Sequence, residues 1–245
     1  MEMRGRASPA GTEIWQGQAS QRFTRLRRAG KPCSYVLQQR FKIKFSKHGD
    51  LRFISHHDVM RLFQRALRRA GVEMRMTQGF NPHPKMIFAM PLGVGIESDC
   101  EVLFLDTSRW YKAAELRERL EAELPSGMRP LEVELASPLA SAVPREAAYV
   151  AVPSESTDEA RKGIEEKIQA FLRSEKVVVE RVREDRTVRI DLRPYVSALE
   201  ATPEGIRLRI RVTPKGAARP EEVLRALGLD PLAARIRRTE LCLAP

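Results

Sequence analysis

The sequence predicts an α+β fold of two tandem ferredoxin-like units, each a split βαβ arrangement with an antiparallel sheet. Three observations lead there. Short stretches alternate apolar and charged residues with period two, as half-buried strands do. Longer stretches repeat apolar residues every three to four positions, as core-facing helices do. The order strand, helix, strand, strand, helix, strand then occurs twice along the 245 residues.

Phe41, Ile43 and Phe45 alternate with Lys42, Lys44 and Ser46 and make the first strand. Ser55, three positions before Asp58, caps a helix whose core face is Val59, Leu62, Phe63, Ala66 and Ala70,. Gly71 closes it. Met74 and Met76 are one candidate for the next strand, and Met86 to Met90 a stronger one. Glu101 to Asp106 is a third strand, Tyr111 to Glu123 a helix with Leu116 and Leu120 inward, and Leu131, Val133 and Leu135 a fourth strand. Ser137 to Pro144 reads as a linker. Beyond it come a short strand around Tyr149 and Ala151, and a helix from Asp158 to Ser174 with Ile164, Ile168, Phe171 and Leu172 inward. Strands follow at Val188–Leu192 and Ile206–Val212, then a helix from Pro220 to Leu227 and a final strand from Ala234 to Leu243. Val177 to Val182 is surplus to the repeat and is expected to pair with the next strand as a hairpin. The expected organisation is a basic leader over 1–39, a first unit over 40–137 and a second over 145–245.

Composition narrows the function. Hydrophobic residues are 42% of the chain, enough for a core,. No run approaches the roughly 18 apolar residues of a membrane helix, and the first residues lack the apolar stretch of a secretory signal. Cys33, Cys100 and Cys242 are far apart and show no CxxC spacing, which argues against a disulfide framework, a zinc knuckle or a cluster-binding triplet,. A cytoplasmic location without a membrane partner is the expectation. The formal net charge is +11. Part of it comes from Arg4, Arg6, Arg22, Arg25, Arg27, Arg28, Lys31 and Arg40, set against only Glu2 and Glu13. This leader reads as a flexible basic arm or as residues added by an upstream start codon. A basic surface favours polyanions.

All four histidines lie between His48 and His83. His56 and His57 fall in the first turn of the first helix, where backbone N–H groups favour anions and disfavour the imidazolium. The pair can contact a ligand or RNA, pack and cap, or ligate a metal. A metal would need His48, Asp58, His83 or Cys100 to converge on them, and no metal or cofactor is assigned. Arg61, Arg65 and Arg68 recur on one helix face, where like charges repel and an anionic partner relieves the cost. Further along, Gly79 permits positive φ, while Pro82 and Pro84 extend Asn81 and His83. The segment is expected to form a stiff loop. Its Gln78, Phe80, Asn81, His83 and Lys85 suit a stacked, hydrogen-bonded base or a partner protein. Its alternative role is a connector whose phenylalanine plugs the core. Arg207, Arg209 and Arg211 oppose the apolar side of their strand. They form either a nucleic-acid platform, though this strand lacks the aromatics that stack on bases, or a solvated or helix-covered face with salt bridges to acids such as Glu180 or Asp191.

The segments FSKHGDLRFISHHDVMRLFQRALRRAG and QGFNPHPKMIFAMPLGVG resemble the radical-SAM-linked protein family, from about residue 40 onward. The resemblance implies a radical SAM protein as partner and an RNA-related role. The chain lacks a CxxxCxxC triplet, so it resembles the accessory and not the catalyst, and no catalytic residue is assigned. A more distant fold-level likeness is to RAMP proteins, which bind and cut CRISPR repeat RNA. The leading expectation is therefore a non-catalytic accessory that binds structured RNA through His56, His57, Arg61, Arg65, Arg68 and the Gln78–Lys85 loop. The alternatives are a protein–protein adaptor for the radical SAM partner without RNA binding, and a RAMP-like, metal-independent ribonuclease.

Overall fold

Phe41, Ile43 and Phe45 are fully buried while Lys42 and Lys44 are not, so the predicted alternation does orient the first strand, β1 (Gln39–Lys47). The computed structural model describes residues 38–154, 158–183 and 186–245. The leader through residue 37, with Cys33, lies outside them.

After β1 come helix α1 (His56–Arg69), β2 (Met86–Phe88), β3 (Glu97–Thr107), α2 (Ala113–Glu123) and β4 (Met128–Ala136). β1 lies between β4 and β3, and β2 pairs with the far edge of β3, all antiparallel. This is the ferredoxin-like arrangement. α1 starts where predicted: the Ser55 hydroxyl accepts the Asp58 N–H at 3.2 Å and donates to the Asp58 carboxylate at 2.6 Å. Gly71, at φ +67°, ends it, with the Val72 N–H reaching back to the Leu67 carbonyl at 2.9 Å,. Val59, Phe63, Ala66 and Leu67 of α1 pack with Leu116 and Leu120 of α2 over β1 and β3. Phe63 meets Phe45 and Phe88 edge-on, at ring separations of 4.7 and 5.7 Å. Burying such a ring contributes about 2–3 kcal/mol.

The second half contains β5 (Pro144–Pro153), α3 (Asp158–Arg173), β6 (Val178–Arg183), β7 (Arg186–Asp191), β8 (Val196–Thr202), β9 (Gly205–Arg211), α4 (Pro220–Ala226) and β10 (Ala234–Leu243). The order β10-β5-β9-β8 repeats that of the first half. The surplus segment does form a hairpin, β6 with β7. One assignment is corrected. The Val188–Leu192 stretch is not the second strand of the main sheet; it supplies β7, and that place belongs to β8. β8 carries a bulge between Val196 and Ala198, so its buried residues Val196 and Leu199 are three apart and the period-two signal is lost,. Met74 and Met76 form only isolated bridges, to Thr107 and Pro84.

The two halves share one sheet through a short parallel pairing of β10 with β3, Arg237 opposite Glu97 and Arg238 opposite Ser98. So short a ladder is reinforced by side chains. Arg238 is 1% exposed. Its Nη1 donates to Glu101 Oε1 at 2.8 Å and to the Met90 carbonyl at 3.3 Å. Nη2 donates to the Pro91 carbonyl at 3.2 Å and to Tyr149 Oη at 3.0 Å, and Nε donates to the same oxygen at 3.1 Å. All five donors of a guanidinium are thereby used. Ser98 Oγ donates to Glu101 Oε1 at 2.6 Å. Burial works against the charge on Arg238, but Glu101 and Tyr149 outweigh it and keep the guanidinium protonated. Burial pushes the Tyr149 phenol up.

Removing one member of a buried ion pair leaves the other charge uncompensated. Arg238→Ala is therefore expected to lower unfolding free energy by about 3–5 kcal/mol in urea denaturation, whereas Arg207→Ala, whose partner Glu200 is exposed, should cost under about 1 kcal/mol.

Candidate functional site

α1 presents two different surfaces. Its inner side is the core face described above, and its outer side exposes Arg61, Arg65 and Arg68. Arg61 lies 3.4 Å from Asp58, one turn earlier, with both side chains largely in water. Among the described residues the side chains of Arg65 and Arg68 make no hydrogen bond or ion pair. Arg69 is different. Its Nε and Nη2 donate to the Glu123 carboxylate and carbonyl, each at 2.6 Å, which ties α1 to α2. The unspent positive charge on this helix is thus Arg65 and Arg68, with Arg61 partly engaged.

His56 and His57 part company, as adjacent helical residues must. His57 is exposed. His56 is half-buried, edge-on to Phe88 at 5.3 Å and 6.0 Å from the His57 ring. Burial lowers its pKa, the charges of His57 and Lys47 add to the shift, and Glu101 opposes it. The ring is therefore neutral near pH 7. It borders a cavity of about 10 Å3 shared with Lys47, Glu101, Phe45 and Phe88, room for a single water,. Lys47 is 2% exposed, and its one hydrogen bond, to the Ile54 carbonyl, is long at 3.4 Å. Burial pulls its pKa down, against the pull of Glu101.

Of Lys47, Glu101, Tyr149 and Arg238, which are not among the site residues expected from sequence, two have a sequence signal. Lys47 continues the inward series Phe41, Ile43, Phe45, and Arg238 follows Ile236 at inward spacing. A charge in an apolar register is a mark of a buried polar cluster.

The Gln78–Lys85 segment is the tip and descending arm of a small hairpin. The Lys85 N–H donates to the Arg75 carbonyl at 2.7 Å, the Thr77 N–H to the His83 carbonyl at 2.7 Å, and the His83 N–H to Thr77 Oγ1 at 2.9 Å. Gly79 turns the chain at φ +140°. Phe80 is 106% exposed, so it does not plug the core. Among the described residues the side chains of Gln78, Phe80, Asn81 and His83 form no hydrogen bond, ion pair or ring contact. Lys85 is held by Asp106 at 2.9 Å. No such contact joins this loop to the α1 arginines or to His56 and His57.

Several other polar groups are satisfied within the fold. Arg207 and Arg209 are paired, but with Glu200 and Glu146 on the flanking strands and Glu240 on β10, while Arg211 forms no salt bridge among the described residues; Glu180 goes to Arg189. His48 faces Asp99 at 3.1 Å. Burial pushes the Cys100 thiol up to about 11, so it is not a thiolate at neutral pH. Among the described residues no three His, Cys, Asp or Glu side chains converge as a metal-ligand set, and no helix is long and apolar enough to cross a membrane.

These features define an α+β protein of two ferredoxin-like units with a cationic helix face, an exposed aromatic loop and a buried charge cluster. The chain belongs to the family described as "uncharacterized protein conserved in bacteria (DUF2344)", whose profile matches residues 40–224. No curated protein matches it. Among solved structures it is similar to a chain of a Cbf5-Nop10-Gar1 complex, at 13% identity and a TM-score of 0.40, over 82% of this chain and 48% of that one. It thus spans about half the length of that chain. It is also similar to an unknown protein from Galdieria sulphuraria, at 18% identity and a TM-score of 0.27, over 85% of this chain and 99% of that one. A third similarity is to the acetolactate synthase small subunit from Thermotoga maritima, at 15% identity and a TM-score of 0.24, with 85% and 97% coverage. None of the three carries an argument about this chain's chemistry.

Two outcomes are expected of the buried cluster. Because the native pKa of His56 lies below its unfolded value, the unfolded state binds more protons between the two,. Stability is full above about pH 6.5 and falls as pH drops toward the native pKa; NMR titration of His56 and denaturation of a His56→Leu variant, which should flatten this dependence, check it. The poorly bonded ammonium of Lys47 makes Lys47→Met at least as stable as the parent, and a loss above about 1 kcal/mol in the urea midpoint would contradict this.

Proposed function

We propose that this protein binds structured RNA through the outer face of α1 and the Gln78–Lys85 loop, as the non-catalytic accessory of a radical SAM enzyme. The observation that carries the RNA reading is the pair of exposed, unpartnered guanidinium groups at Arg65 and Arg68. Arg69 on the same helix, and Arg207, Arg209 and Arg235 on the strands, are by contrast each matched to an acid. Planar guanidinium groups without internal partners suit phosphate oxygens. Arg61 adds a third contact by exchanging Asp58 for phosphate. The loop contributes Phe80, an aromatic ring with no packing role in the fold, which suits stacking on an unpaired base, and Asn81 and His83, which suit hydrogen bonding to a base edge. The radical SAM partner rests on the resemblance of the QGFNPHPK segment, and the missing CxxxCxxC triplet makes that partner the source of the catalytic cluster.

The adaptor reading is supported by one observation of its own. A fully exposed phenylalanine on a short hairpin is also a good anchor for a protein pocket.

Titrating the full chain with a labelled stem-loop RNA at several salt concentrations tests both. The triple substitution of Arg61, Arg65 and Arg68 by alanine is expected to reduce the slope of log K against log salt by about 2, with weaker binding throughout. Unchanged slope and affinity would overturn the RNA reading. If Phe80→Ala at the same time abolished association with the radical SAM protein, the adaptor reading would take its place.

A further inference from the structure

A cleft of about 520 Å3, lined by residues of both halves and by none of α1, opens between them. One wall is Arg52 and Phe53 of a 3-10 turn (Gly49–Phe53), with Val94 from the segment before β3. The second half contributes Arg225 of α4, Leu232 of the turn before β10, and Arg235. The volume is that of a small-molecule site.

The apolar members of this lining are out of place on a basic, polar surface. Phe53 is 58% exposed, Val94 59% and Leu232 93%. Single exposed apolar residues are ordinary, but three meeting in one concavity are not. The Arg52 guanidinium lies 4.6 Å from the Phe53 ring centroid, which steadies the ring by a cation–π contact,.

The cations are arranged unequally. Arg235 is clamped to Glu97, Nη2 to Oε1 at 3.0 Å and Nε to Oε2 at 3.1 Å, and Arg52 lies 3.7 Å from the same carboxylate. Burial opposes the charge on Glu97, but hydrogen bonds from Arg235 and the Gly49 N–H outweigh it and hold the carboxyl below the usual range. One carboxylate thus orients two guanidinium groups and neutralises only one. Arg225 is exposed, and among the described residues its side chain has no hydrogen bond or ion pair. Glu221 also lines the cleft, with its Oε2 enclosed and without a partner. The lining cations outnumber this acid.

A ligand that uses every feature has a flat, weakly polar body and a compact anionic end. Inorganic phosphate would leave Phe53 and Leu232 idle. A fatty acid would leave two of three guanidinium groups idle. We propose that the cleft binds a nucleoside phosphate, with its base against Phe53 and Leu232 and its phosphate on Arg225, supported by Arg52 and Arg235. The site shares no residue with the α1 face or the Gln78–Lys85 loop, so it stands independently of the RNA reading.

The test uses the isotope-labelled full chain, titrated with AMP, GMP, UMP, inorganic phosphate and a 5′-phosphorylated trinucleotide while the Val94, Gly95 and Leu232 amides are followed by NMR. Saturable shifts with at least one mononucleotide are expected, with phosphate alone weaker by about tenfold. Phe53→Ala should weaken nucleotide binding by about tenfold, and Arg225→Ala by a similar factor, with Arg225→Lys recovering part of it. Both side chains are exposed, so the variants retain the fold, which an unchanged amide spectrum verifies. A trinucleotide that binds tighter than its mononucleotide identifies an RNA end as the source, and equal affinities identify a free nucleotide. No saturable shift with any nucleotide up to about 5 mM, or shifts that survive both alanine substitutions, would overturn the proposal. A chain carrying the α1 triple substitution should still bind the nucleotide.

Discussion

The guanidinium of Arg238 is the constraint on which the arrangement of the two halves depends. It sits where β3 and β10 share their short parallel ladder, and its five donors reach a carboxylate, a phenol and two carbonyls from three separate parts of the chain. Two residue pairs of parallel ladder are a thin joint, and parallel pairing is the weaker kind. The charge network adds specificity to it. Sliding β10 along β3 by one residue would turn Arg238 to the other face and strand Glu101 without its counter-ion, so the register of the joint is fixed by charge more firmly than by backbone bonds.

From that joint the buried polarity extends toward α1. Glu101, held by Arg238 and Ser98, also faces the small cavity bounded by Lys47 and His56. An apolar residue at position 47 would suit the aromatic cluster of Phe45, Phe63 and Phe88 better than an ammonium with one long hydrogen bond. Such a misfit is what a site kept for use, not for stability, looks like. The outer face of α1 repeats the pattern in milder form: three like charges along one helix carry a small electrostatic cost that the Arg61–Asp58 contact relieves only in part,.

Much of this was legible in the sequence. The capping pair Ser55 and Asp58, the inward series on β1 and α1, and the turn at Gly71 are local signals, set by periods and side-chain reach, and each appears where expected. β8 was not legible, because the bulge after Val196 breaks the alternation by which a strand is recognised. The exposed loop and its phenylalanine were readable from proline and glycine placement. The buried cluster was not, since the pairing of Glu101 with Arg238 is a fact of topology. Sequence could mark Lys47 and Arg238 as charges in apolar register, but it could not show that they meet around one carboxylate. The cleft at Phe53 and Arg225 is hidden for the same reason: its lining comes from both halves.

That separation has a temporal side. Arg238 follows Glu101 by 137 residues, which at ordinary ribosomal speed is a delay on the order of 10 s. Throughout it the first half has its helices and most of its strands, but the Glu101 carboxylate at its far edge, though near Lys47, lacks the guanidinium that hydrogen-bonds it. The nascent first half must therefore leave that edge hydrated. It closes only when β10 is delivered, so a strand made well after the first half completes the core of that unit.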